Sequence, residues 1–271
     1  MCPQTVHLGN SVPGGFAEYL TIHEMNAHII PATLPLCEAA LLEPLGVCLA
    51  GLLRARLQMG ETVAVFGDGP FGLIFARLSM IMGARAVRVM GHHDWRLERI
   101  KAPHVTTINS RKAGFLPALI EATAGRGADL AIAAAGSPDL YEDLLASVRI
   151  QGRILSFACA TDKVSLDMSQ VPMRELEIIG SCRCPHTFDT LIDLIGQRWL
   201  NPAELITSVL PLERLLEAFD MARRSSKEVF KILIEIGGEP WAQEPGAPWG
   251  RRDRRQEPYR QSRRLSFRPS S

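Results

Sequence analysis

The stretch Val63-Ala64-Val65-Phe66-Gly67-Asp68-Gly69-Pro70-Phe71-Gly72 decides the fold. An apolar, β-rich run stops at glycine, as a strand buried on both faces does. Phe71, Ile74, Phe75, Leu78, Ile81 and Met82 then recur at helical spacing. Between strand and helix stands the pattern G-x-G-x-x-G, in the setting that gives it meaning. Gly67 permits a tight turn, Gly69 lets a pyrophosphate approach the backbone, and Gly72 lets the helix pack close to the strand. Pro70 suits a first helical turn, where no N–H is needed. The N–H groups at that helix start, with the positive end of its dipole, suit phosphate. A glycine-rich turn without a ligand would read the same way, but the flanking elements favour a nucleotide.

Working outward, Ala86–Met90 reads as a second strand, and Asp94 as the N-cap of a helix running to Ile100. His104–Ile108 is a third strand, and Phe115–Ala124 a helix stopped by Gly125. Asp129–Ala135 is a strand closed by Gly136-Ser137-Pro138, and Leu140–Val148 a helix. Arg153–Ala158 and Leu176–Ile179 bring the strands to six. This alternation predicts an α/β fold with a Rossmann doubly wound parallel sheet. The flanks differ. Residues 1–40 are rich in glycine, proline and strand-like residues. Residues 187–236 read as helices Phe188–Gln197 and Leu212–Ala222, then a strand Lys231–Ile236. The flanks are expected to form a second unit, and no internal repeat is visible.

The end of the second strand reports on the nucleotide. An Asp or Glu about 20 residues after the glycine pattern would bond the ribose 2′-hydroxyl of NAD. Gly91 stands there, followed by His92, His93, Asp94, Trp95 and Arg96. No carboxylate of that strand would repel a 2′-phosphate, and Arg96 with the histidines could receive one. NADP is therefore expected ahead of NAD, with Arg96 as a solvated helix residue the competing reading.

Composition sets the outer limits. The 271 residues hold 30 Lys+Arg and 29 Asp+Glu, for a net charge of +1, with 46% hydrophobic residues. Such a balance fits a globular core and offers no overall footprint for nucleic acid. No apolar run is long enough to span a membrane, and Met1–His7 lacks the basic and apolar parts of a signal peptide. Six scattered cysteines fit neither a disulfide framework nor a zinc knuckle, which points to a reducing, cytoplasmic setting. Charge is uneven: residues 237–271 carry +4 and the remainder −3. The tail is basic, proline-containing and poor in aliphatic residues, so it is expected to be disordered.

Several segments in order also resemble one family. Gly14-Gly15-Phe16-Ala17-Glu18-Tyr19, Ala39-Ala40-Leu41-Leu42-Glu43-Pro44-Leu45-Gly46-Val47, Gly60-Glu61-Thr62 before the glycine loop, Leu210-Pro211-Leu212-Glu213, Glu217-Ala218-Phe219 and Lys231-Ile232-Leu233-Ile234 are similar to the medium-chain dehydrogenases/reductases, in the zinc-dependent alcohol, sorbitol and threonine dehydrogenase group. The likeness runs from about Cys2 to Ile236. It implies a Rossmann domain beside a partial GroES-like barrel built from the flanking segments. The implied division is 1–43 (remnant of the catalytic domain), 44–186 (dinucleotide-binding), 187–236 (closing segment) and 237–271 (tail). The implied chemistry is hydride exchange between a small alcohol or carbonyl and NAD(P), with zinc polarising the oxygen.

The resemblance also implies site residues. Phe71 lies behind the nicotinamide ribose. Phe157, Ala158 and Cys159 end the fifth strand beside the nicotinamide, and Cys182 and Arg183 follow the sixth. Glu43 matches a carboxylate near the family's zinc, although a plain helix-end residue would read the same. The family's zinc-ligating Cys and His-Glu pair lie upstream of the Gly14–Tyr19 strand and have no counterpart here. The family's N-terminal catalytic portion is thus expected to be missing and its zinc set incomplete. Cys2 resembles one cysteine of a four-cysteine structural zinc lobe whose partners are absent. Cys182-x-Cys184 is too closely spaced for a knuckle. An impaired dehydrogenase is the leading expectation, and a non-catalytic dinucleotide-binding remnant the alternative. A homo-oligomer is left open, and neither membrane nor specific nucleic acid is expected as partner.

Overall fold

The computed structural model describes residues 6–183, 186–224 and 228–237. In chain order the elements are α1 (Leu36–Ala39), α2 (Leu42–Arg54), β1 (Thr62–Phe66), α3 (Pro70–Ile81), β2 (Ala86–Gly91), α4 (Asp94–Ile100), β3 (Val105–Asn109), α5 (Phe115–Ala122), β4 (Ala128–Ala133), α6 (Leu140–Ser147), β5 (Val148–Ser156), α7 (Gln170–Met173), β6 (Glu177–Gly180), α8 (Phe188–Gly196), β7 (Ile206–Pro211), α9 (Leu215–Arg224) and β8 (Lys231–Glu235).

Strands β1 to β6 form one parallel sheet in the order β3-β2-β1-β4-β5-β6. This is the doubly wound order expected from the alternation. Side chains leave a strand on alternate faces. Val63 and Val65 of β1, with Leu130 and Ile132 of β4, pack into a core shared with α2, α3, α4 and α8. Ala64, Phe66, Ala131 and Ala133 face the other way, onto α5 and α6. Burial on both sides explains why these strands read as unbroken apolar runs.

A buried ion pair stands beside the first layer. Arg77 of α3 is 4% exposed. It pairs with Glu204 at 3.0 Å and donates to the carbonyls of Ile100 and Arg99. Burial pushes the Glu204 carboxyl up, and the Arg77 guanidinium only partly offsets this.

The flanks form less than the sequence suggests. Gly14–Tyr19, expected as a strand, lies in no strand, and Phe16–Tyr19 are exposed. Among the described residues before Leu36 the only strand-like contact is the isolated bridge Leu8–Val12. A strand needs a neighbour to take its N–H and C=O groups, and no described strand offers one there. The closing segment contains a strand not anticipated. Ile206–Pro211 pairs in parallel with Lys231–Glu235 as β7 and β8. The expected helix from Leu212 is a 3-10 turn over Leu212–Arg214 that leads into α9. Most of the basic tail (residues 238–271), Cys2 and Cys184 lie outside the described residues.

Candidate functional site

All six strands of the sheet run parallel, so their carboxyl ends meet at one edge, where ligands bind in open α/β sheets. The glycine loop leaves β1 at this edge. Gly67 has φ +135°, a region that L side chains rarely adopt, and a Cβ there would stand 3.0 Å from the Ala134 backbone. A Cβ on Gly72 would overlap the Gly67 carbonyl, so the first turn of α3 closes directly on the loop. A Cβ on Gly69 would meet nothing within 4 Å. Gly69 is also the N-cap of α3, without a side-chain cap, and Pro70 follows at the start of the helix. The first-turn N–H groups are therefore uncapped by any side chain and border open space.

The other sequence-derived positions gather at the same edge. Phe157, just past β5, meets the Phe71 ring edge-on at 5.0 Å and Phe75 at 4.8 Å. Ala158 donates its N–H to the Ala133 carbonyl, tying the end of β5 to that of β4. Cys159 and Cys182 are free and exposed, and Arg183 is partly buried just beyond β6. Lys231 at the start of β8 lies 5.8 Å from the centre of the Phe71 ring, a contact the sequence reading did not include.

The second strand holds a correction. Gly91 does end β2, yet a carboxylate stands beside it, contributed by Asp68 of the glycine loop. Asp68 Oδ2 accepts the backbone N–H of His92 and of His93, each at 2.7 Å, and lies 3.1 Å from His93 Nδ1. The expectation of an acid-free strand end, on which the preference for NADP rested, counted only the residues of β2. Arg96 is not a solvated side chain either. It donates to the Val229 carbonyl at 2.9 Å, lies over the Phe230 ring and reaches within 3.7 Å of Asp68 Oδ1. His92 is exposed, with its ring 2.8 Å from the Ser110 hydroxyl. His93, not Asp94, is the N-cap of α4. The Asp94 carboxylate instead takes bonds from Lys112 and Asn109, which hold it below the usual carboxylate range.

Glu43 is exposed in the first turn of α2. Cys48, further along that helix, is fully buried. Burial and the nearby Glu43 push its thiol well up, with Lys231 drawing it down less. Among the described residues no three His, Cys, Asp or Glu side chains come together. The donors present therefore do not fit a catalytic zinc, which needs about three protein ligands.

A family profile for zinc-binding dehydrogenases matches residues 70–197. The L-threonine 3-dehydrogenase of Yersinia pestis (strain Pestoides F) is 32% identical over 236 residues, covering 86% of this chain and 68% of that protein. The chain belongs to the zinc-binding dehydrogenase family. The sorbitol dehydrogenase of Bacillus subtilis (strain 168) is 29% identical over 239 residues, covering 86% of this chain and 67% of the other. The chain thus spans about two thirds of the length of these relatives, which are named for small-molecule alcohol substrates. Two solved structures share the fold at 24% identity, each covering 86% of this chain and 69% of the other. An alcohol dehydrogenase from Escherichia coli CFT073 complexed with NADH has a TM-score of 0.81. A zinc-binding dehydrogenase from Sinorhizobium meliloti 1021 bound to NADP has one of 0.79. Both forms of the nicotinamide cofactor therefore occur on this fold. Among the described residues no helix is long and apolar enough to cross a membrane.

Proposed function

We propose that this chain binds a nicotinamide dinucleotide at the carboxyl edge of its sheet and serves hydride exchange with a small alcohol or carbonyl. The observation that carries the reading is the glycine loop: a left-handed Gly67, a Gly72 without room for a Cβ, and open space in front of Gly69 at an uncapped helix start. In this reading the first-turn N–H groups of α3 hold the pyrophosphate. Lys231, beside Phe71, adds a cation to that end. Phe71 and Phe157 wall the nicotinamide side, and Ala158, Cys159, Cys182 and Arg183 line it further on. The cofactor, when bound, supplies the hydride chemistry, and these residues orient it. No step is assigned to zinc, because the described donors do not form its site.

The reading divides the chain at 43/44, 186/187 and 236/237, supported by the six-stranded sheet falling between residues 44 and 186. A cytoplasmic setting is supported by the cysteines at 37, 48, 159 and 182, which are free among the described residues. The test is calorimetric titration of the full chain with NAD and NADP, with Gly69→Val as control. A Val side chain there enters open space in the free protein, so folding survives while the pyrophosphate seat is blocked. The expected loss is about 100-fold or more in affinity, with the circular dichroism spectrum unchanged. Unaltered binding by the variant would remove the loop as the site. Turnover of NAD(P) with a panel of small alcohols and carbonyls tests the reaction class separately.

A further inference from the structure

We infer that Asp68 selects NAD over NADP, doing from the glycine loop what the second strand has no side chain to do. The inference rests on the dinucleotide reading above and adds to it which ribose the site accepts.

The substitution is geometric. A Cβ built on Gly91 would overlap the Asp68 side chain and stand 2.5 Å from its Oδ2. The loop carboxylate thus fills the space that a side chain at the end of β2 would occupy. That is the position from which an acid reaches the adenosine ribose of NAD. It also explains why a glycine ends this strand. Any other residue would displace Asp68.

The carboxylate is held rather than free to swing. Asp68 is 7% exposed, and two consecutive backbone N–H groups fix Oδ2. Its second oxygen, Oδ1, faces Arg96 at 3.7 Å, beyond hydrogen-bond distance. Arg96 is drawn toward the closing strand, by the Val229 carbonyl and the face of Phe230.

The two cofactors differ at one group. A ribose 2′-hydroxyl is a donor, and a fixed carboxylate accepts from it in a charge-assisted bond. A 2′-phosphate has oxygens that accept and negative charge. Beside Asp68 it meets like charge and finds the same two N–H groups already taken. Rejection of this kind is repulsion built into the site.

The experiment titrates the full chain with NAD, NADP and an NAD analogue lacking the 2′-hydroxyl of the adenosine ribose. Wild type is expected to bind NAD at least about tenfold more tightly than NADP, and the deoxy analogue about tenfold more weakly than NAD. Asp68→Asn, which keeps an acceptor oxygen for the backbone N–H groups, is expected to bring NAD and NADP within about threefold of each other. Three results would overturn the inference while leaving the dinucleotide reading intact. They are NADP binding as tightly as NAD to wild type, the deoxy analogue matching NAD, or Asp68→Asn weakening both cofactors with their ratio preserved. The analogue comparison uses wild type alone, so it decides even if the variant misfolds. Binding of neither cofactor to wild type would instead remove the dinucleotide reading, and this inference with it.

Discussion

The two edges of the parallel sheet each hold a buried aspartate, and the two are held differently. At the amino edge, Asp129 of β4 accepts the Thr62 N–H at 2.8 Å and pairs with Arg149 at 2.7 Å and Arg126 at 3.0 Å. Both of its oxygens are engaged with strong donors, and it joins β1 to the start of β5. At the carboxyl edge, Asp68 has one oxygen fixed by two N–H groups and the other without a donor inside hydrogen-bond distance. A carboxylate saturated by its own chain stabilises the fold, whereas one with an oxygen to spare can meet a ligand.

The cavity at the amino edge agrees with this contrast. A cleft of about 810 Å³ opens there, lined by Thr62, Arg85, Arg88, Thr123, Arg126 and Asp129 among others. Its size alone would suggest a binding site. Its arginines, however, are already engaged: Arg85 with the Thr62 hydroxyl, Arg88 with that of Thr106, and Arg126 with Asp129. At the carboxyl edge the first-turn N–H groups of α3 have no side-chain cap and Gly69 faces open space.

The contrast can be broken most severely at the glycine loop. Gly72→Ala puts a Cβ onto the Gly67 carbonyl, where backbone cannot yield as a side chain can. It is expected to cost about 3 kcal/mol of stability and to abolish cofactor binding, checked by urea unfolding and calorimetry.

Asp129→Ala comes next. It leaves the Thr62 N–H and two guanidinium groups without their acceptor, at an expected cost of about 2–3 kcal/mol. Because the lesion is at the far edge, the affinity ratio of NAD to NADP should stay unchanged. A shift in that ratio would show that the two edges are coupled.

A milder effect is expected at Gly91. Gly91→Ala pushes against Asp68 rather than against backbone, and is expected to cost about 1 kcal/mol. It should move the NADP to NAD ratio in the same direction as Asp68→Asn. Lower stability with an unmoved ratio would mean that the position of Asp68 does not matter for selection.

The smallest signal is in acid. Burial raises the Asp129 carboxyl, but the Thr62 N–H, Arg149 and Arg126 outweigh it, so its pKa is lowered overall. A lowered carboxyl contributes stability that is fully present above the ordinary aspartate value of 3.8 and is lost as pH falls through the lowered one. Urea midpoints measured across that acid range should fall more steeply in wild type than in Asp129→Asn.

Much of the fold was legible because local pattern and tertiary demand coincide in a doubly wound sheet. Strands buried on both faces read as apolar runs, and the expected strands Val63–Phe66, Ala86–Met90 and Asp129–Ala135 fall within two residues of β1, β2 and β4. The glycine loop was legible for a similar reason. Its three glycines answer to turn, ligand space and helix packing within six residues of chain. Strand β7 was missed because Ile206–Pro211 is only partly buried and ends in proline, so it carries neither a clean run nor a clean alternation. Gly14–Tyr19 was expected as a strand from its likeness to the family. A strand exists only with a partner, and none of the described strands pairs with it.

By itself the sequence determined the order of strands and helices from β1 to β6, the place of the glycine loop and the family, since each depends on residues near one another in the chain. Only the tertiary structure decided what stands at the end of β2. Asp68 and Gly91 are 23 residues apart in sequence, one just past the end of β1 and the other ending β2, and these strands pair in parallel register from Thr62–Ala86 to Phe66–Met90. That pairing carries the loop acid into the space the glycine leaves. The same holds for Arg77 and Glu204, whose buried pair closes α3 onto the turn before β7. Contacts between distant residues follow from how the elements pack, and no spacing along the chain records them.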